Sequence, residues 1–193
     1  APDQHYEKLK VAPNYLRESV YELIDQEIQN AKDGKDARIV AKMNALDDIP
    51  IIKRLYKASQ ARVKIDLIVR GHCRLRPQLD EYSENINVLS IIGRFLEHDR
   101  IYYFENEGDS KVFIGSADWR HRNMDERVEA IVPITVPTLK KRIVHILTNA
   151  LQDNRLAWEM HSDGSYAQRQ PGNDEERNFH DMMMEDAQRR AFD

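Results

Sequence analysis

The chain has 193 residues, a length for one domain or for one domain with a tail. Hydrophobic residues make up 41% and charged residues 32%; that supplies one core but no run of about eighteen apolar residues to cross a membrane. Lys and Arg number 29 against 33 Asp and Glu, a net charge of -4, which excludes the strong overall basicity of a nucleic-acid binder, and the single Cys73 excludes a disulfide framework or a multi-cysteine zinc site.

Residues 1–13 are polar and end at Pro13, an N-terminal extension. Asn14 is placed to cap a helix in which Leu16, Val20, Leu23, Ile24 and Ile28 recur at helical spacing, closed by Gly34. Arg38–Asn44 reads as a strand. Asp47, Asp48 and Pro50 are helix-start chemistry, and Ile51, Ile52, Leu55 and Ala58 give the next helix an apolar face. Val63–Val69 is a second strand, so the three elements form a βαβ unit with a parallel pair.

Residues 72–85 are irregular, and Ile86–Ile92 is a strand. Gly93–His98 is a connector, with room for one helical turn. Arg100–Glu105 and Lys111–Ser116 form a hairpin across a segment with Gly108 and Asp109. Val128–Ile134 is another strand. Pro137 opens an amphipathic helix carrying Leu139, Ile143, Ile146, Leu147 and Leu151 on one face. Residues 154–193 form a polar tail, with a terminal helix expected around Met182–Met184. The fold class is α/β, a mixed, largely parallel sheet flanked by helices.

Three clusters carry chemistry. From Lys53 to Arg76, eight basic residues stand against one acid, Asp66. Most of them suit a solvated face, but Arg70 ends an apolar strand, and ligands of open α/β sheets collect at strand carboxyl ends. A guanidinium there is suited to phosphate oxygens. The second cluster is Arg94-Phe-Leu-Glu-His98-Asp-Arg100, in which His98 is able to act as acid, base, nucleophile or phosphate ligand. The third runs from Gly115 to Glu129. Its small residues at a strand end leave N–H groups open to an anion, and Asp118, Asn123, Arg127 and their neighbours suit either direct contact or a supporting salt-bridge network. Trp119 reads as a buried anchor more readily than as a stacking platform. No Walker loop, kinase glycine loop or nucleophile elbow is present.

The segments Lys42-Met-Asn44, Ile65–Gly71, Ser90–Asn106 and Gly115-Ser-Ala-Asp-Trp119 with Arg122-Asn123 resemble the C-terminal catalytic domain of bacterial polyphosphate kinase, the long, phospholipase D-like type. The resemblance runs from about Val11 to Asp153, which sets the expected domain at residues 14–153, half of a phospholipase D-like pair. It implies reversible transfer of the ATP γ-phosphate to inorganic polyphosphate, with Mg²⁺, through a phosphohistidine on a preceding domain whose motif is not matched here. Ala1 in place of an initiator methionine fits a piece of a longer chain.

Carried over by motif, the resemblance places the family's second essential histidine on His98 and its nucleotide-phosphate arginine on Arg70. It makes Lys42, Arg94 and Arg100 candidates for the polyphosphate path, and Glu105, Asp118, Asn123 and Arg127 candidates for a supporting shell. Metal ligands are expected mainly outside this segment. The implied partners are ATP, ADP, polyphosphate, the preceding catalytic domains of the parent chain and further copies of it, without nucleic acid. The implied location is cytoplasmic or peripheral at the inner face of the membrane; no secretory signal is visible. The superfamily's His-x-Lys reads His98-Asp-Arg100, and Gly115-Ser116 falls three residues late, departures that agree with the kinase branch. A phospholipase D-like phosphodiesterase and a non-catalytic polyanion-binding module are the alternatives.

Overall fold

The computed structural model describes residues 9–191, so most of the expected N-terminal extension, His5 included, lies outside the described residues. The elements run β1 (Lys10–Ala12), α1 (Leu16–Lys32), β2 (Arg38–Met43), α2 (Ile49–Gln60), β3 (Lys64–Val69), β4 (Ile86–Ile91), β5 (Arg100–Phe104), β6 (Lys111–Gly115), α3 (His121–Asp125), β7 (Glu129–Pro133), α4 (Pro137–Gln152), β8 (Ala157–Met160), β9 (Tyr166–Gln168) and α5 (Phe179–Ala191). The strands form one sheet in the order β1-β7-β6-β5-β2-β3-β4-β8-β9.

The sheet is mixed, as expected, but its parallel part is confined to β2–β3–β4. β5 enters antiparallel to β2, and every pairing outward from there and beyond β4 is antiparallel. The βαβ reading therefore holds only for β2, α2 and β3, and β3 reaches β4 in parallel through the irregular crossover of residues 70–85. The short hairpin between β5 and β6 and the returns to β7 and β8 supply the antiparallel flanks.

Side-chain alternation along the central strands splits the core in two. Ile39 and Leu67 face α1 and α2, packing with Val20, Ile24 and Leu55. Val40 and Ile68 face the other way, toward Leu147 and Ala150 of α4 and Phe179 of α5. Period-2 alternation in strands buried on both faces produces this two-sided burial. α2 starts as its sequence dictates, with the Asp48 carboxylate accepting the Ile51 N–H at 3.0 Å and Pro50 in the first turn. α1 starts differently from expectation. Tyr15, not Asn14, holds the cap position without a side-chain cap, and the Tyr15 N–H donates to the Val11 carbonyl at 2.9 Å.

The segment after Asp153 adds β8 and β9 to the sheet edge and lays α5 on its α4 face. The buried Asp153 carboxylate makes this possible. One oxygen accepts the N–H groups of Arg155, Leu156 and Ala157, at 2.9, 2.6 and 2.8 Å, and the other accepts that of Phe179 at 2.7 Å. It holds a tight turn into β8 and the first residue of α5 with one charge.

Candidate active site

The strand order creates the site. β4 and β5 are consecutive in sequence but separated in the sheet by β3 and β2. The connector between them, residues 92–99, crosses three inter-strand steps, roughly 14 Å, over the carboxyl ends of β2 and β3. Whatever side chains those two strands end with lie beneath it. Lys42, the last residue but one of β2, and Arg70, just past β3, stand there. The reversal of connection direction at a strand carboxyl end is where open α/β sheets bind ligands.

Both basic residues hold the connector. Arg70 Nη1 donates to the carbonyl of Glu97, while the Arg70 carbonyl accepts the Ser90 hydroxyl at 2.9 Å. Lys42, 4% exposed, places Nζ 2.7 Å from Asp99 Oδ1 and 3.2 Å from Glu97 Oε2. Arg100 Nη1 donates to the carbonyl of His98 at 2.7 Å. Two guanidinium groups from different strands thus grip consecutive carbonyls, those of Glu97 and His98. His98 itself is exposed, and no hydrogen bond or ion pair of its imidazole occurs among the described residues.

The far side of Arg100 is fixed by Asp118. Its Oδ1 accepts Arg100 Nε at 3.1 Å and the Asn44 N–H at 2.8 Å, and its Oδ2 accepts Arg100 Nη2 at 3.4 Å. Asp118 is held in turn by its neighbours. The Tyr102 hydroxyl donates to the Ala117 carbonyl, the Tyr102 ring stacks on Trp119 with centroids 5.1 Å apart, and Asp47 and Asp48 N–H groups donate to the Trp119 carbonyl. Burial pushes the Tyr102 phenol well above its ordinary range, so it stays a donor. Trp119 is a buried anchor.

The remaining sequence candidates separate by position. Asn123 is buried and donates to Glu129 Oε1 at 2.6 Å, while Glu129 Oε2 accepts the Ser116 hydroxyl. This triad braces the β6–β7 end of the same rim. Arg127 is exposed in the turn before β7, with no side-chain ion pair among the described residues. Arg94 is exposed over the Phe95 ring, 5.5 Å from its centroid. Glu105 is not brought to the rim. It follows the other end of β5, where register sets Phe104 beside Ile39, and it accepts the Tyr103 hydroxyl. Four strand residues separate it from Arg100, because β5 runs against β2.

Two expectations for this rim give way to packing. Lys42 and Arg100 are sequestered by Glu97, Asp99 and Asp118, so they support the connector from below, whereas Arg70 and Arg94 have no carboxylate partner among the described residues. The small residues of Gly115-Ser116 do not form an open anion nest. A Cβ on Gly115 would stand 2.3 Å from the Ala130 carbonyl oxygen, so the glycine is there to admit β7, and the Ser116 N–H is already bonded to Ala130 at 3.0 Å.

For a divalent metal the donor set does not fit. The acids of the rim are neutralised by Lys42 and Arg100, and the one carboxylate and imidazole grouping of metal-site dimensions among the described residues, Asp48, His121 and Asp125, is spanned by Arg17. His180, read in sequence as part of a polar terminus, was missed. It is buried against the connector, and no periodicity in residues 173–193 marks it out.

The fold is similar to that of phospholipase D-like proteins. A phospholipase D family member, Nuc from Salmonella typhimurium, superposes with a TM-score of 0.57 over 80% of this chain and 97% of its own, at 14% identity, a likeness of fold. The specific family is set by closer matches. Residues 9–180 match the family model described as polyphosphate kinase C-terminal domain 2, and the chain belongs to that family. Polyphosphate kinase from Thermosynechococcus vestitus is 53% identical over 185 residues, 95% of this chain and 25% of the relative. That from Neisseria meningitidis is 52% identical over 169 residues, 87% of this chain and 25% of the relative. The crystal structure of polyphosphate kinase from Porphyromonas gingivalis matches with a TM-score of 0.94 at 37% identity, over 98% of this chain and 29% of that one. The chain thus spans about a quarter of the length of the relatives it matches.

Proposed function

We propose that this rim holds the phosphates of ATP and of the polyphosphate terminus during reversible phosphoryl transfer by a polyphosphate kinase. The accepting histidine, the magnesium ligands and the remainder of the path lie on preceding domains of the parent chain. Arg70 grips nucleotide phosphate with the donors it does not spend on the Glu97 carbonyl. His98 faces the transferring group as acid, base or phosphate ligand. Arg94 extends the positive surface for the polymer. Lys42, Arg100, Asp118 and Asn123 fix these groups and do not touch substrate. Phosphoryl transfer demands little else of a protein than positioning and neutralisation of oxygen charge.

One observation carries the reading: Arg70, just past the carboxyl end of β3, and Arg100, the first residue of β5, bind the adjacent carbonyls of Glu97 and His98, so both guanidinium groups hold the backbone that carries the exposed imidazole. Magnesium enters through the parent's other domains, and no step on this rim runs through it. The isolated chain, lacking the accepting histidine, is inactive by itself; the parent acts as a homo-oligomer in the cytoplasm or at the inner membrane face.

The test is made in the parent enzyme. Arg70→Ala and His98→Ala are each expected to lower synthesis by about 100-fold or more, the usual loss of a charge-stabilising or proton-transferring group. Turnover within a few-fold of wild type in either variant would remove that residue from the reaction.

A further inference from the structure

The connector that carries His98 is held from below by Lys42 and Arg70. It is also held from outside, by the last helix. His180, the second residue of α5, is 3% exposed. Its Nδ1 accepts the Phe95 N–H at 3.3 Å, and its ring lies 5.3 Å from that of Phe95. Gly93 lets the connector backbone lie flat on the imidazole, since a Cβ there would stand 2.9 Å from Nδ1 and 2.6 Å from Leu156 Cδ1. On the other side of the ring, Nε2 points to Glu97 Oε2 at 3.8 Å and has no hydrogen bond.

Positions 93, 95 and 97 therefore all meet one imidazole. The connector bends at residues 93–95 and is exposed on its outer side, and His98 follows it one residue after the half-buried Glu97. A ring whose Nδ1 accepts an N–H carries its own proton on Nε2 when neutral. That N–H faces the Glu97 carboxylate, which also binds Lys42 and whose backbone carbonyl binds Arg70. A small closing movement would turn the 3.8 Å approach into a hydrogen bond.

We propose that His180 is a positioning residue for the phosphate-transfer rim: by accepting the Phe95 N–H and presenting Nε2–H to Glu97, it fixes the connector over residues 93–97 and so the backbone from which His98 projects. This rests on the functional reading above for its consequence, but not for its geometry. The C-terminal helix is then part of the site, although none of its residues touches substrate. α5 is fit for this role because Asp153 accepts the Phe179 N–H one residue earlier, anchoring the start of the helix next to the ring.

Three substitutions separate the two contacts. His180→Asn keeps an acceptor near the Nδ1 position, His180→Gln keeps an N–H near the Nε2 position, and His180→Phe fills the space with neither. In this chain, amide exchange of Phe95 is expected to rise about tenfold in His180→Gln and His180→Phe, the weight of one hydrogen bond, and to stay near wild type in His180→Asn. Nitrogen shifts of the wild-type ring are expected to show the Nε2-protonated tautomer. In the parent enzyme, kcat is expected to fall at least several-fold in His180→Phe and to recover in part in one of the two amide variants, with overall melting unchanged in the amide pair.

Equal Phe95 exchange in all four proteins, or an Nδ1-protonated ring, would overturn the proposal. So would full activity of His180→Phe in a parent that Arg70→Ala inactivates. If Arg70→Ala and His98→Ala leave the parent active, the functional reading fails by itself, and the exchange data still decide whether His180 orders the connector.

Discussion

Replacing Asp118 by Asn probes the rim most directly. Both members of its ion pair are nearly enclosed, with side-chain exposures of 11% for Arg100 and 8% for Asp118. The amide retains the shape and one oxygen. Set in the Oδ1 place, that oxygen still serves Asn44 N–H and Arg100 Nε, while the NH₂ group confronts the Arg100 Nη2 donor. The guanidinium is left buried without a counter-charge. Breaking one side of a buried pair costs about 3–5 kcal/mol, and the surviving hydrogen bonds argue for the lower end, about 3 kcal/mol. In a chain of this size that lowers the melting midpoint by roughly 6–12 °C. Urea titration at neutral pH, followed by tryptophan fluorescence, reads the change beside the site, because Trp119 is the next residue. The decisive measurement is a cycle with Arg100→Met. Removing both charges together is expected to recover at least about 1.5 kcal/mol relative to the sum of the single changes. A coupling below about 0.5 kcal/mol, the range of independent sites, would refute the view that this pair is a closed electrostatic unit.

Two further predictions concern buried carboxylates. Asp153→Ala is expected to cost at least about 3 kcal/mol, since it strips charge-assisted acceptors from four N–H groups, and to speed amide exchange across Phe179–Ala191; a loss under about 1 kcal/mol would contradict the bridging role. Glu27 is fully buried between the Arg38 and Asn106 N–H groups, and burial raises its pKa above the ordinary 4.5 in spite of those bonds. The folded state then holds the proton more tightly than the unfolded chain, so the Glu27 contribution is most favourable below pH 4.5 and declines as pH rises through the folded value. Relative to Glu27→Gln, wild type is expected to lose stability between pH 4 and pH 7 in paired urea titrations, and a gain would reverse the assignment.

The central elements were legible because each is long enough to show its period. α1, α2 and α4 repeat apolar residues at helical spacing, and β2 to β7 alternate or run apolar. β1, β8 and β9 have three, four and three residues, too few to display any period, and they form only by pairing with an existing edge. The rim was legible as motifs but not as a hierarchy. Lys42, Arg94 and Arg100 look alike in sequence; what separates them is which acid lies within reach, and that depends on the crossing of the β4–β5 connector over β2 and β3. Glu105 was misplaced for the same reason, since strand direction decides which end of β5 meets the basic residues. His180 was invisible because its role depends on a helix docking far from it in sequence, governed by Asp153.

The sheet finishes on each side with a strand of only three residues, β1 at one margin and β9 at the other. An unpaired margin is a template on which a second chain can add itself and begin to aggregate, and short outer strands are one way natural proteins deny it a foothold. A nine-stranded sheet without such blunt borders would present two long open ladders. Lengthening either border by even a few β-formers is therefore the change that would most readily turn this domain from a discrete particle into a polymerising one.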